Sequence, residues 1–229
     1  MKKDYVATIY DDKRTVRTDY PYRLAVYLFK RFNMRQNDKV LEVGCGRGEF
    51  IQAFKKLGLD CYGVDISDYS IEKLSDIKMK KTDVTCEPLP YADNTFDVVY
   101  HKSLIEHFFS PDNLTKETYR VLKPGGRVII LTPDWVSTMK VFYEDFTHCR
   151  PYDKNSLHDL LEIYGFADVQ SELFYQYPMV WNYPALKIIC RLLQCIISTP
   201  MARRLTQVTG IKFFRWSIEL MALATAVKK

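Results

Sequence analysis

Val40-Leu41-Glu42-Val43-Gly44-Cys45-Gly46-Arg47-Gly48 is the stretch whose reading decides the fold. An apolar run ends in an acid, and glycines then follow at every second position. A second short apolar run, Tyr62-Gly63-Val64, ends in Asp65. The pattern reads as a strand, a glycine turn, a helix and a second strand closed by a carboxylate. Glycine belongs where the backbone takes positive φ or lies against a ligand with no Cβ between. An acid at the end of the second strand can accept hydrogen bonds from both ribose hydroxyls of an adenosine. A dinucleotide fingerprint, Gly-x-Gly-x-x-Gly, would put its third glycine three positions after Gly46. That position holds Glu49, whose charge at a helix N-terminus would repel a pyrophosphate. The spacing suits a nucleoside without phosphates and disfavours NAD.

Outward from this stretch the chain alternates apolar strands with amphipathic helices. Strands are expected at residues 40–43, 61–65, 80–84, 96–100, 127–131, 166–174 and 220–227. Helices are expected over 19–32, 49–56, 70–75, 114–122 and 156–164. Lys123-Pro124-Gly125-Gly126 reads as a turn before the fifth strand. This order implies an α/β fold with a doubly wound, mostly parallel sheet covered on both faces.

The chain of 229 residues suits one domain, 1–229, carrying one insertion at 176–215. Its composition, 47% hydrophobic and 27% charged, is that of a soluble globular protein. The first residues meet no apolar run that would make a signal peptide. The six cysteines show no Cys-x-x-Cys pair and read as reduced thiols, so a cytoplasmic location is expected. The net charge of +5 is unevenly placed. Residues 173–218 hold no Asp or Glu, but do hold Lys187, Arg191, Arg203, Arg204, Lys212 and Arg215. A local basic block argues for an anionic partner.

Six features in order resemble the class I S-adenosylmethionine-dependent methyltransferases. They are Glu42-x-Gly44-x-Gly46-x-Gly48, Asp65, Asp83, Leu89-Pro90 with Phe96-Asp97, Glu106-His107, and Leu122-Lys123-Pro124-Gly125-Gly126. The resemblance covers about residues 38–174 and 220–227. It implies a Rossmann-like sheet of seven strands whose last two form an antiparallel pair, here separated by the helical insertion 176–215. It also implies S-adenosylmethionine as cofactor and S-adenosylhomocysteine as product. By that resemblance Gly44, Cys45, Gly46 and Gly48 pack on the methionine part, and Glu42 helps to hold its ammonium group. Asp65, followed by Ile66, takes the ribose. Asp83, followed by Val84, takes the adenine amine, and the backbone at His101 and Lys102 lines the amino-acid end. Any one of these acids, taken alone, could equally cap a helix or turn.

A methyl donor already activated asks the protein for alignment, exclusion of water and, for a hydroxyl acceptor, a general base. His148 and His107 are the candidates. His107 stands where the loop after the fourth strand opens onto the usual ligand crevice, although a structural role suits it equally. His148 lies in Thr147-His148-Cys149-Arg150-Pro151-Tyr152, which resembles a stretch in bacterial polysaccharide and sugar methyltransferases. His158 reads as a solvated surface residue. No ligand spacing around His148, Cys149 and Asp145 supports a metal site, so none is expected.

The expected activity is methyl transfer to a small or medium acceptor, an oxygen on a sugar or a nucleotide- or lipid-linked glycan. Methylation of an amine or carboxyl group is the nearest alternative, and a catalytically silent cofactor-binding subunit another. Nucleic acid is disfavoured for want of a long basic surface or a recognisable module. Residues 185–198 pattern as an amphipathic helix, with Trp181, Phe213, Phe214 and Trp216 around it. Three roles compete with plain packing on the core: a lid over the acceptor site, a peripheral contact with anionic membrane lipid, and a homodimer contact.

Overall fold

In the computed structural model, which describes residues 4–9 and 16–229, seven strands form one sheet. They are β1 (Lys39–Val43), β2 (Asp60–Asp65), β3 (Lys78–Lys81), β4 (Phe96–Lys102), β5 (Leu122–Pro133), β6 (Ala167–Phe174) and β7 (Met221–Val227). Among the described residues two helices precede β1: α1 (Tyr5–Ile9) and α2 (Tyr20–Arg31). Then come α3 (Glu49–Lys56), α4 (Asp68–Lys73), α5 (Asp112–Val121), α6 (Trp135–Thr138) and α7 (Lys154–Ile163). Between β6 and β7 lie α8 (Pro178–Asn182), α9 (Leu186–Ile196), α10 (Thr199–Thr209) and α11 (Phe213–Ile218).

The strand order is β3-β2-β1-β4-β5-β7-β6. The pairs β2–β3, β1–β2, β1–β4 and β4–β5 are parallel, and β7 runs antiparallel to both β5 and β6. The doubly wound, mostly parallel sheet and the final antiparallel pair are as the sequence implies.

Strand alternation divides the core into two layers. On one face Val40, Val98, Tyr100, Ile129 and Leu131 meet Leu24 and Leu28 of α2 and Ile51 and Phe54 of α3. On the other, Leu41, Val43, Val99, Val128 and Ile130 meet Leu114 and Val121 of α5 and Leu157 and Leu161 of α7. Both faces of the central strands are dry, which is why these strands read as continuous apolar runs.

Two expectations need correction. The turn at Lys123-Pro124-Gly125-Gly126 lies inside β5 as an irregularity. Phe96 pairs with Leu122 and Val98 with Arg127, so the extra residues bulge out between two paired stretches. Gly125 takes φ +78 there and its N–H donates to the Lys228 carbonyl. The third strand ends at Lys81 rather than Val84. The Asp83 carboxylate accepts from the Thr85 amide and hydroxyl and folds the chain into a turn instead.

Gly63 in β2 permits the close approach of the glycine loop. A Cβ at this position would lie 2.3 Å from Met79 Sδ and 2.6 Å from Cys45 Sγ. Gly63→Ala is expected to lower stability by ~1–3 kcal/mol through overpacking. Chemical denaturation should read this as a lower midpoint with little change in slope.

Candidate active site

The cofactor half of the site is built at the carboxyl ends of β1, β2 and β4. Gly44, Gly46 and Gly48 all take positive φ, at +74, +50 and +74. A Cβ on Gly44 or Gly48 would also strike Leu104 or Leu74, whereas one on Gly46 would meet nothing within 4 Å. The loop thus presents bare backbone toward open space at Gly46. Its amide donates to Asp65 Oδ2 at 2.7 Å, and the Ser67 amide donates to Asp65 Oδ1 at 2.8 Å. Each carboxylate oxygen keeps a second acceptor direction. Burial raises the pKa of Asp65, and the two amides pull it back.

Glu42 is buried, and its Oε2 has no hydrogen-bond partner. Burial raises its pKa well above the ordinary carboxylate value. An orphaned buried acceptor is costly unless a donor reaches it. The ammonium group of an amino-acid moiety would be such a donor. Ile66, 61% exposed beside Asp65, offers an apolar surface. Bare glycine backbone, a ribose-type acid, an orphaned carboxylate and an exposed apolar residue together fit S-adenosylmethionine.

The other expected contacts are arranged differently. The Cys45 thiol turns inward and donates to the Glu42 carbonyl, and its amide donates to Val64 O. Val84 is packed in the second core layer. The His101 side chain is buried, and burial lowers its pKa to about 3. All three side chains are therefore turned away from the open edge. Asp83 spends Oδ1 on Thr85. Glu49 pairs with Arg47 at 2.9 Å.

Beside this edge lies a cavity of about 510 Å³. Lys102, Ser103, Glu106 and His107 line it from the end of β4. The segment 138–148 brings Phe142, Glu144, Asp145, Phe146 and His148; Tyr5 of α1 and Arg203 and Arg215 of α10 and α11 complete the wall with Glu219. His107 and His148, far apart in sequence, come together with ring centroids 4.9 Å apart. The 145–150 loop is held there because the Glu106 carbonyl accepts from the Cys149 and Arg150 amides at 2.8 and 3.1 Å.

The hydrogen bonds fix the protons on both rings. His148 Nδ1 lies 2.7 Å from the Phe142 carbonyl. A carbonyl only accepts, so Nδ1 carries the proton and neutral His148 keeps its lone pair on Nε2. Thr147 Oγ1 donates to Asp145 Oδ1 at 2.6 Å, so it accepts from His107 Nδ1 at 2.9 Å. Tyr5 Oη donates to Asp145 Oδ2 at 3.0 Å. Burial, then the neighbouring His148, lowers the pKa of His107. Glu106 is 0% exposed, and burial lifts its pKa to about 7. His158 lies elsewhere, on α7, within 3.8 Å of Asp159 and Glu162.

Tyr5 and Glu219 escaped the sequence reading, which had Arg203 and Arg215 only as members of the basic block. Glu219 carried a faint signal, as the first acid after the acid-free window. It is buried between the two arginines. Arg203 pairs with both Glu219 and Glu144, and Arg215 reaches Glu219 at 2.9 Å.

The methyltransferase-domain family Methyltransf_23 matches residues 16–171. Phosphoethanolamine N-methyltransferase 3 of Arabidopsis thaliana is 32% identical over 159 residues, covering 61% of this chain and 31% of that protein. The chain therefore spans about a third of the length of the plant relatives it matches. Among solved structures, Haemonchus contortus phosphoethanolamine N-methyltransferase 2 in complex with S-adenosyl-L-methionine superposes with a TM-score of 0.67 at 19% identity. That match covers 96% of this chain and 58% of the other. A putative methyltransferase complexed with the Haloferax volcanii Trm112 activator gives a TM-score of 0.72 at 15% identity, with 100% of both chains covered. At these identities the structural likeness is one of fold.

Asp65→Ala is expected to weaken S-adenosylmethionine and S-adenosylhomocysteine binding by ~1–3 kcal/mol, the loss for hydrogen bonds to a charged group. Calorimetry on both proteins checks it, with NAD, for which no binding is expected, as the control ligand. Unchanged cofactor affinity in the variant would remove Asp65 from the site.

Proposed function

Because the chain belongs to the methyltransferase-domain family, whose class I fold it carries, we propose that it moves a methyl group from S-adenosylmethionine to a hydroxyl of an uncharged, polyhydroxylated acceptor such as a glycan. The observation that carries this reading is the proton placement on His148. Its Nδ1–H is committed to the Phe142 carbonyl, so the free lone pair is on Nε2. A neutral imidazole held in one tautomer is a suitable acceptor for a hydroxyl proton.

The bound cofactor supplies a methyl group on a sulfonium, already activated for transfer. The chain's own residues hold, orient and shield. Glu42 and Asp65 fix the two ends of the cofactor, and the αL glycines let backbone lie against it. Tyr5 and the Arg203–Glu219–Arg215 cluster wall the acceptor cavity against water. His148 takes the acceptor's proton at Nε2, and His107 packs against its ring.

Charge balance favours an uncharged acceptor over a phosphomonoester. Lys102, Arg203 and Arg215 face Glu106, Glu144, Asp145 and Glu219 across the same cavity. Both arginines are already engaged by carboxylates, so a phosphate would find no uncommitted arginine. Phe146, 81% exposed on the cavity wall, offers a flat face to a sugar ring.

The insertion supports a location for this chemistry. Ile188, Ile189, Leu192 and Ile196 of α9 are exposed, as are Met201 and Val208 of α10 and nearby Ile211. Exposed Lys187, Arg191, Arg204 and Lys212 are interspersed with them. Among the described residues no helix is long and apolar enough to cross a membrane. An exposed apolar surface mixed with cations and free of acids suits the headgroup region of anionic lipid. A lipid-linked glycan would present its hydroxyls there.

Two outcomes are expected. His148→Ala should lower turnover by ~10²–10⁴, the usual cost of a lost general base, with cofactor affinity retained. The assay is S-adenosylhomocysteine release over a panel of glycans, lipid-linked glycans, small amines and phosphoethanolamine. Turnover confined to amines would overturn the hydroxyl reading, and full activity in the variant would overturn the role of His148. Phosphatidylglycerol vesicles should bind the protein and release it with salt, because each surface cation contributes about 1 kcal/mol through a screened field. Arg191→Glu with Arg204→Glu should abolish that sedimentation. Equal binding to neutral vesicles would exclude the anionic-lipid contact.

A further inference from the structure

We propose that Glu106, His107 and His148 form a site for one divalent transition-metal cation at the floor of the acceptor cavity. Their ligating atoms all lie within 4.8 Å of one another. Glu106 and His107 sit side by side on one helical turn, Ile105–His107, at the exit of β4. His148 arrives on the loop after β5, and that loop is pinned to the Glu106 carbonyl by two amides. Backbone bonds, rather than flexible side chains, therefore set the spacing.

A second observation points to a ligand. Glu106 is fully buried; Oε2 accepts from Thr132 Oγ1 at 2.8 Å, whereas Oε1 has no partner. A buried carboxylate oxygen without a donor carries a large desolvation cost, and a cation would offset it. The outer bonds of both imidazoles match those of metal-bound histidine. His148 Nδ1–H is tied to a backbone carbonyl and His107 Nδ1–H to a threonine hydroxyl. Such bonds fix the tautomer and direct the other nitrogen to a metal.

Two imidazoles and one carboxylate suit the ions from Mn²⁺ to Zn²⁺ better than Mg²⁺ or Ca²⁺, which take oxygen ligands. Bonds of ~2.1 Å would draw the three atoms about an ångström closer together. Three protein ligands leave a position open to the cavity. Lys102 repels a cation there, and Asp145, with Oδ2 4.0 Å from His148 Nε2, attracts it. No sequence spacing announces the site, because its halves come from different loops.

This inference rests on the proposed hydroxyl acceptor only for its purpose. A cation would lend Lewis acidity to that hydroxyl and lower its pKa; with the cation bound, His148 Nε2 would be a ligand in place of the base, and the hydroxyl proton would pass to water. The test needs neither acceptor nor turnover. Chelator-stripped protein is titrated with Co²⁺, followed by calorimetry and by the visible ligand-field bands of the ion. One equivalent is expected to bind, with affinity falling at least tenfold in His107→Ala and in His148→Ala and unchanged in His158→Ala. Circular dichroism confirms that each variant is folded. Absence of saturable binding, affinity unchanged in both cavity variants, or a thiolate charge-transfer band pointing to Cys149 would each overturn the site. Methyl transfer to amines with Co²⁺ binding intact would overturn the acceptor reading and leave the metal site standing.

Discussion

The cavity beside the cofactor edge takes its shape from one carbonyl, that of Glu106, which holds two backbone amides, Cys149 and Arg150, from a loop beyond the neighbouring strand. Backbone amides of a folded chain must be paired somewhere. Here their pairing joins the exit of β4 to the polar stretch after β5. His107 and His148 become neighbours by that bond. Thr147 can then accept from His107 while donating to Asp145, and Tyr5 donates to Asp145 in turn. Without the two amides the loop could swing away, and its side chains would have no fixed relation to the cofactor edge.

The two halves of the site differ in how far they could be read from residues alone. The cofactor half is local. Three glycines in alternation and an acid at each strand end reflect a single turn and its neighbour, so spacing alone reveals that turn. The cavity beside it is lined by Tyr5, His107, His148, Arg203, Arg215 and Glu219, which come from widely separated parts of the chain. Spacing cannot show such a meeting. The fold was legible for the same reason as the cofactor half, since buried parallel strands are apolar runs with turn residues between. It failed where a side chain competed with the ladder, as Asp83 does by ending β3 early. It failed again where glycines allowed a bulge, as Gly125 does inside β5.

The insertion shows how a charged window can divide its work. Arg203 and Arg215 turn inward to Glu219, and Lys187, Arg191, Arg204 and Lys212 remain outside. The inner pair closes on one buried carboxylate, Glu219, while its own side chains stay 27% and 46% exposed. The outer group stays hydrated among exposed apolar side chains. Composition alone could not separate the two sets, because both lie in the same acid-free stretch.

The position of β7 has a consequence for how the molecule is made. The last strand in order is inserted between β5 and β6 rather than added at an edge. Until it is synthesised, both of those strands present an unpaired edge, and the nascent chain carries two open templates for misassembly. The helices from α8 to α11 must also emerge before the gap is filled, which imposes a long loop closure late in folding. The segment that brings Arg203 and Arg215 to the cavity is thus also a delay. For that interval a half-made sheet depends on its surroundings to remain single.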